Sequence, residues 1–332
     1  MPPKTSDVVA IGNAIVDIIG RCDDAFLAQH GATKGAMQLV EPAAIRKLYD
    51  AMGPAVEISG GSAANTVVGV ASFGGRAAFI GKVADDEFGR IFSHDIKAAG
   101  VAFTTPPTKG AAPTSRSLIL VTPDGERTMN TYLGVSTELD QAAVDAAMIA
   151  GSRIVYLEGY LFDRPQSKAA FRAAAAIAAK SGCRVALTLS DGFCVARYRA
   201  EFLDFITSSV DIVFANESEV TALYETQSFD AAAAHMAADV GFAALTRGSR
   251  GAVMFADGKS FAVPAEPVAK VIDTTGAGDL FAAGVLHGLA RGLDPLACGR
   301  LGVLAAAEII GHIGARPEQK LADLAKAKGF AQ

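Results

Sequence analysis

The sequence predicts an α/β fold: a mostly parallel central sheet flanked by helices, with a small β-sheet lid set into it. Three observations carry that reading. Short β-type runs recur between longer alanine-rich helical runs, at 8–11, 78–80, 154–157, 185–189, 212–214, 243–245 and 252–255. Such alternation builds parallel strands joined by crossover helices that cover both faces of the sheet. A hairpin signal interrupts the rhythm between 101 and 135, and a glycine-rich loop opens an apolar helix near the C-terminus.

The first strand, 8–11, is followed by a strand-rich excursion at 14–21 and a shorter run at 36–40. Ser62 is placed to cap a helix over 63–72, which Gly74-Gly75 stop, and a second helix over 166–180 is closed by Gly182. Two strand-like runs, 114–121 and 127–133, flank Pro123-Asp124-Gly125-Glu126, whose Asp-Gly pair favours a tight turn. An isolated hairpin is marginal in water, so the runs at 14–21 and 36–40 are its expected sheet partners. The two parts are then interleaved: 1–13, 41–100 and 136–332 form a large α/β body, and 14–40 with 101–135 form the lid.

The 332 residues are 51% hydrophobic and 20% charged, and the 34 glycines follow no period, which excludes a fibrous or disordered chain. With 30 basic and 35 acidic residues and no block of like charge, nucleic acid is not an expected partner. The apolar stretches 281–290 and 301–310 fall short of a membrane span and carry His287 and Glu308, so no membrane partner is expected either. Cys22, Cys183, Cys194 and Cys298 form no C-x-x-C pair and read as reduced core thiols. No signal-peptide core follows Met1-Pro2-Pro3, and a cytoplasmic protein is expected. The five histidines lack zinc spacing, and His287 on its apolar helix reads as a core residue. There is no P-loop, no H-R-D loop and no G-x-G-x-x-G after the first strand.

The segment richest in chemistry is Asp273-Thr274-Thr275-Gly276-Ala277-Gly278-Asp279, ahead of an apolar helical run. Small residues at Gly276, Ala277 and Gly278 let a ligand approach backbone N–H groups at a helix start, which is an anion site. Asp279 beside such an anion is placed to take a proton from an attacking hydroxyl. A plain turn with an acid that favours a helix N-terminus is the competing reading.

This heptapeptide, together with Gly60-Gly61-Ser62-Ala63-Ala64-Asn65, resembles the ribokinase-like (PfkB) carbohydrate kinase family along nearly the whole chain. Within it the chain is most similar to adenosine kinases, through Gly12-Asn13-Ala14-Ile15-Val16-Asp17 and Val210-Asp211-Ile212-Val213-Phe214-Ala215-Asn216-Glu217. The resemblance implies a ribokinase-like three-layer sandwich whose lid closes over the substrate. It makes Asp279 the catalytic base and Gly276, Ala277 and Gly278 the anion hole. It implies that Asp17 binds the ribose diol, that Asn13 lies near the base, and that Gly60 and Gly61 are a hinge touching the sugar. Asn65 faces that sugar beside Ser62.

Asn216-Glu217-Ser218-Glu219 is by itself a helix-capping pattern. In the family it is an N-x-x-E motif, which links Glu219 to magnesium through water and puts Asn216 at ATP. Thr246, Gly248 and Gly251 resemble the nucleotide loop, with Arg247 and Arg250 adding charge. Arg127 matches a lid arginine that reaches the γ-phosphate on closure, and the alternative is a solvent-facing strand arginine. Ala305 to Ile310 and Gly314-Ala315-Arg316-Pro317 resemble an adenine-pocket helix and loop. Some relatives bind a monovalent cation through the loop matching Asp273, which adds K+ to ATP and Mg2+ as a candidate cofactor.

The expected function is therefore ATP- and magnesium-dependent phosphorylation of the 5′-hydroxyl of a purine nucleoside, adenosine first. Inosine, guanosine, or a free sugar such as ribose or fructose are the alternatives, as is a nucleoside- or sugar-binding sensor without catalysis. Ile15, Met37, Leu133 and Tyr160 are candidates to sandwich a base, and both a monomer and a homodimer paired through the lid are compatible with the pattern.

Overall fold

The computed structural model describes residues 4–110 and 112–330, so Met1-Pro2-Pro3, read above, lie outside it. In chain order its strands are β1 (Ser6–Ile11), β2 (Ile15–Arg21), β3 (Met37–Leu39), β4 (Ala55–Gly60), β5 (Ala77–Ile80), β6 (Val101–Phe103) and β7 (Ser115–Val121). They continue with β8 (Arg127–Tyr132), β9 (Ser152–Glu158), β10 (Arg184–Thr188), β11 (Ile212–Asn216), β12 (Phe242–Thr246), β13 (Ala252–Ala256) and β14 (Lys259–Val263). Nine strands form the main sheet in the order β14-β13-β12-β11-β10-β9-β1-β5-β6, and five form a second sheet in the order β3-β8-β7-β2-β4.

The main sheet is parallel from β6 to β12 and antiparallel at β13 and β14. Its centre is dry on both sides. Val8, Val9, Ala10 and Ile11 are all fully buried, with Val8 and Ala10 facing one hydrophobic layer and Val9 and Ile11 the other. That is why β1 reads as an unbroken apolar run rather than an alternating one. Helices Ser62–Ser72, Ala277–Arg291 and Pro295–Ile309 bury residues in the first layer, and Pro165–Lys180 and Gly192–Ser209 in the second.

The small sheet follows strict alternation. Val16 and Ile18 of β2 are fully buried in the first layer, which turns Ile15, Asp17 and Ile19 to the opposite face. The expected hairpin is present: β7 and β8 pair antiparallel, and Gly125, at φ 87°, donates to the Thr122 carbonyl at 2.9 Å. Two strands fall outside the boundaries read from sequence. β4, within 41–100, pairs with β2 in the small sheet, and β6, within 101–135, lies at the edge of the main sheet. β4 escapes notice because its first four residues are not buried and Val56 is 66% exposed, so it carries no clear apolar period.

His287 is a core residue, stacked on Phe73 with ring centroids 5.2 Å apart, and burial pushes its pKa down to about 4. Cys183, Cys194 and Cys298 are buried free thiols, whereas Cys22 is only half-buried. No helix among the described residues is long and apolar enough to cross a membrane. The second layer is locked by aromatic packing, with Phe162 stacked on Phe202 at 3.9 Å and edge-on to Phe171 and Phe205. Phe162→Ala is expected to destabilise the fold by about 3–5 kcal/mol, read by chemical denaturation; a loss below about 1 kcal/mol would show that this cluster is not a stability centre.

Candidate active site

A cavity of about 800 Å3 opens where the C-terminal ends of the central strands meet the small sheet. Asn13, Glu158, Thr188, Asn216 and Thr246, each at or just beyond the end of one parallel strand, line one side. Ile15, Asp17, Met37, Leu39, Met129 and Leu133 line the other. Open parallel sheets present ligands at this edge because loops of different strands converge there around a reversal of strand order, here at β1 between β9 and β5.

The glycine-rich loop enters this cavity. Gly276, at φ 78°, is the N-cap of helix Ala277–Arg291, and Ala315 packs so closely against it that a methyl group there would overlap. Among the described residues the amides of Gly276 and Gly278 have no protein acceptor, but Ala277 donates to the Thr274 carbonyl at 3.2 Å. Of the three amides expected to form an anion hole, that of Ala277 already has an acceptor within the turn.

Asp279 sits in the first turn of that helix. Its carboxylate accepts from Ser62 Oγ at 2.6 Å and Asn65 Nδ2 at 3.0 Å. Burial raises its pKa, and the Ser62 and Asn65 bonds and the Arg316 charge oppose that rise. Ser62 does not cap its own helix. The N-cap is Gly61, which frees the Ser62 hydroxyl for Asp279.

Asp17 lies across the cavity. A methyl on Gly60 would overlap its carboxylate, and one on Gly61, at φ 97°, would overlap the Asn13 carbonyl. The paired glycines therefore admit both residues to the site. Among the described residues Asp17 makes no side-chain hydrogen bond, and burial raises its pKa to about 7 against the attraction of Arg316 and Arg127. Asn13 donates its Nδ2 to Glu158 at 2.5 Å, and Ala63 N–H donates to the other Glu158 oxygen at 2.9 Å. Glu158 was not singled out from sequence, although an acid ending an apolar central strand is a readable signal. Burial raises its pKa to about 7 despite those bonds. Among the described residues the buried Oδ1 atoms of Asn13 and Asn65 have no partner, and a hydroxyl-bearing ligand supplies such donors.

Asn216 and Glu219 form a complete capping box, with Asn216 Oδ1 accepting from Glu219 N at 2.8 Å and Glu219 accepting from Asn216 N at 3.0 Å. Both also line the cavity, and burial raises the Glu219 pKa to about 7. A carboxylate so held suits a hydrated magnesium ion, which keeps several waters and needs few protein ligands. Thr246 lines the cavity; Gly248 and Gly251 do not. Gly251 is required by packing, since a methyl there would overlap the Val263 carbonyl. Arg247 lies over the Phe229 ring and Arg250 pairs with Glu217, so neither guanidinium points at the cavity.

Two arginines make bonds that the sequence did not show. Arg127 Nη1 lies 2.7 Å from Asp273 Oδ2 and donates to Thr275 Oγ1 at 3.2 Å, while its buried Nη2 has no partner among the described residues. Asp273, offered by resemblance to potassium, is thereby paired with a protein cation and also accepts from Thr275 and Gly314 N–H. Arg316 lines a second cavity of about 300 Å3 together with Gly314, Ala315 and Pro317, and its guanidinium donates to the carbonyls of Ser59 and Ala64 on either side of Gly60-Gly61.

The base-sandwich candidates Ile15, Met37, Leu133 and Tyr160 all line the cavity. Phe193, missed in the sequence, joins them at 83% exposure, next to the helix N-cap Asp191. Met37 and Leu39 are also more than half exposed, so the cavity carries an apolar wall without a protein cover.

Residues 50–321 match the model of the pfkB family carbohydrate kinases. A probable sugar kinase from Rhizobium etli superposes with a TM-score of 0.93 at 49% identity, covering 99% of this chain and 100% of that one. The adenosine kinase from Sinorhizobium meliloti superposes with a TM-score of 0.91 at 53% identity, covering 97% and 99%. A fructokinase from Klebsiella pneumoniae is 28% identical over 261 residues, 77% of this chain and 85% of its own.

The raised Asp17 pKa has a consequence for stability. Because the folded value of about 7 exceeds the ordinary 3.8, the folded state holds the proton more tightly, and this stabilisation, complete below about pH 4, is lost as pH rises through 7. Ligand-free Asp17→Asn is therefore expected to melt about 2 °C or more above the native protein at pH 8, with the difference gone near pH 4. Equal melting temperatures at pH 8 would contradict the burial cost.

Proposed function

The chain belongs to the pfkB family of carbohydrate kinases and is an ATP-using phosphotransferase for a sugar or nucleoside; from that premise we propose that it phosphorylates the 5′-hydroxyl of a purine nucleoside, adenosine first. The observation that carries the finer reading is the uncovered apolar wall. A free sugar held at Asp17 would leave Met37, Leu39, Tyr160 and Phe193 in water, whereas a purine would cover them. The likeness to the Sinorhizobium meliloti adenosine kinase supports the same reading. The fructokinase relatives favour a second one, a free sugar seated at the same carboxylate.

In this scheme the Asp17 carboxylate accepts from the ribose 2′- and 3′-hydroxyls, and the unpartnered Oδ1 atoms of Asn13 and Asn65 take further donors. Asp279, aimed by Ser62 and Asn65, accepts the 5′-hydroxyl proton as that oxygen bonds to the γ-phosphorus of ATP and the bond from that phosphorus to the β,γ-bridging oxygen breaks, releasing ADP. The Gly276 and Gly278 amides and the helix N-terminus stabilise charge on the transferring phosphoryl group. Asn216 and Thr246, which line the cavity, would face the ATP phosphates, and Glu219 would hold a magnesium ion through water to offset phosphate charge. Arg127 steadies the glycine loop through Asp273.

Asp279→Asn keeps the side-chain shape but removes the proton acceptor. It is expected to lower kcat by about 1000-fold or more while adenosine affinity, measured by calorimetry, stays within about three-fold; near-normal turnover would remove Asp279 from the mechanism. Phe193→Ala is expected to raise the KM for adenosine about ten-fold and leave any activity on free ribose unchanged, and an equal effect on both would favour the sugar reading.

A further inference from the structure

Arg316 is a largely buried arginine whose guanidinium is spent on the backbone. Nε and Nη2 donate to the Ser59 carbonyl at 2.8 and 2.6 Å, Nη2 also reaches Ser59 Oγ at 2.8 Å, and Nη1 donates to the Ala64 carbonyl at 2.9 Å. Among the described residues no carboxylate forms an ion pair with it. Ser59 precedes the Gly60-Gly61 junction at the end of β4. Ala64 lies in the first turn of helix Ser62–Ser72, whose Ser62 and Asn65 hold Asp279. One rigid planar group thus bridges the two sides of the paired glycines, where the backbone has no side chain to restrain it.

The other end of Arg316 is fixed as well. Gly314 N–H donates to Asp273 Oδ2 at 2.9 Å, and Ala315 packs against Gly276. Asp95, on helix Glu87–Ala98, accepts from Ser59 N at 2.8 Å and grips the same residue from the far side. The groups whose charges act with Arg316 are Asp17 from β2, Asp279 from helix Ala277–Arg291 and Asp95; Arg127 from β8 adds a second cation near Asp17.

We propose that Arg316 is a positioning residue for phosphoryl transfer: by joining the glycine-rich anion loop to both sides of the Gly60-Gly61 junction, it holds Ser62 and Asn65 where they aim Asp279 at the acceptor hydroxyl. The proposal rests on Asp279 acting as the base and not on which alcohol is phosphorylated. The guanidinium charge has a second effect. It favours the ionised forms of Asp17 and Asp279 against the cost of their burial.

The test compares native protein, Arg316→Met, Arg316→Lys and Asp279→Asn, each with its folded fraction measured, on the alcohol that the native enzyme accepts. For Arg316→Met the expected result is a kcat about ten-fold or more lower, a KM for Mg-ATP within about three-fold, and an acidic limb of kcat/KM shifted up by about one pH unit. Arg316→Lys keeps the charge but offers one ammonium for two carbonyls, so its limb should stay in place while kcat falls several-fold. It also keeps the test open if the methionine variant does not fold. Native kcat and an unmoved limb in either variant would overturn the proposal, as would losses that merely track the folded fraction. Normal turnover of Asp279→Asn would instead remove the base assignment on which the proposal rests, whatever the Arg316 variants do.

Discussion

The site depends on keeping one carboxylate, Asp279, half-buried yet usable. Two helices meet to do this. Ser62–Ser72 and Ala277–Arg291 pack so closely that a methyl on Gly69 would overlap Ala283 and Leu280, which brings their N-terminal turns together around the Asp279 oxygens. Both helix dipoles then present their positive ends near the same acid, and two side-chain donors finish its coordination. The closeness of those two helices is what converts an ordinary first-turn aspartate into a group held at a fixed place and angle.

The rest of the cavity follows from the same economy of charge. Asp17, Glu158, Glu219 and Asp279 all have pKa values raised by burial, and each of the first three feels other acids or the few nearby cations. Glu158 and Glu219 are offset by backbone N–H groups and by Asn13 and Asn216. Asp17 has no such offset, and the unpartnered oxygens of Asn13 and Asn65 sit in the same cavity. A site left under-satisfied on this scale is a cost to the free protein that a hydroxyl-rich ligand relieves, and stability is commonly sacrificed at binding sites in this way.

Much of this architecture is legible in the sequence because its signals are local. The central strands announce themselves as apolar runs, the β7–β8 hairpin by Asp124-Gly125, and the turn into helix Ala277–Arg291 by Gly276 and Gly278 before an apolar run. What escapes is decided by distant partners. β4 has no period of its own and is recruited by β2; Glu158 gains its meaning from Asn13 and Ala63; Arg127 and Arg316 point where Asp273 and the Ser59 and Ala64 carbonyls draw them. Ser62 shows the same limit in reverse. Its sequence context suits a cap, but Gly61 takes that place and Asp279 takes the hydroxyl. Phe193, following a glycine and an N-cap, carries no period that would mark it as a wall of the cavity.

The central claim is that this cavity seats a nucleoside with its purine against the apolar wall and its 5′-hydroxyl at Asp279. Its most direct test is kcat/KM by ADP release at fixed Mg-ATP for adenosine, inosine, guanosine, cytidine, ribose and fructose. The account predicts that adenosine exceeds either free sugar by about 100-fold or more, the scale expected when a purine's apolar burial is lost. Ribose or fructose exceeding adenosine would contradict it, leaving the kinase fold and its base in place but overturning the role given to the wall.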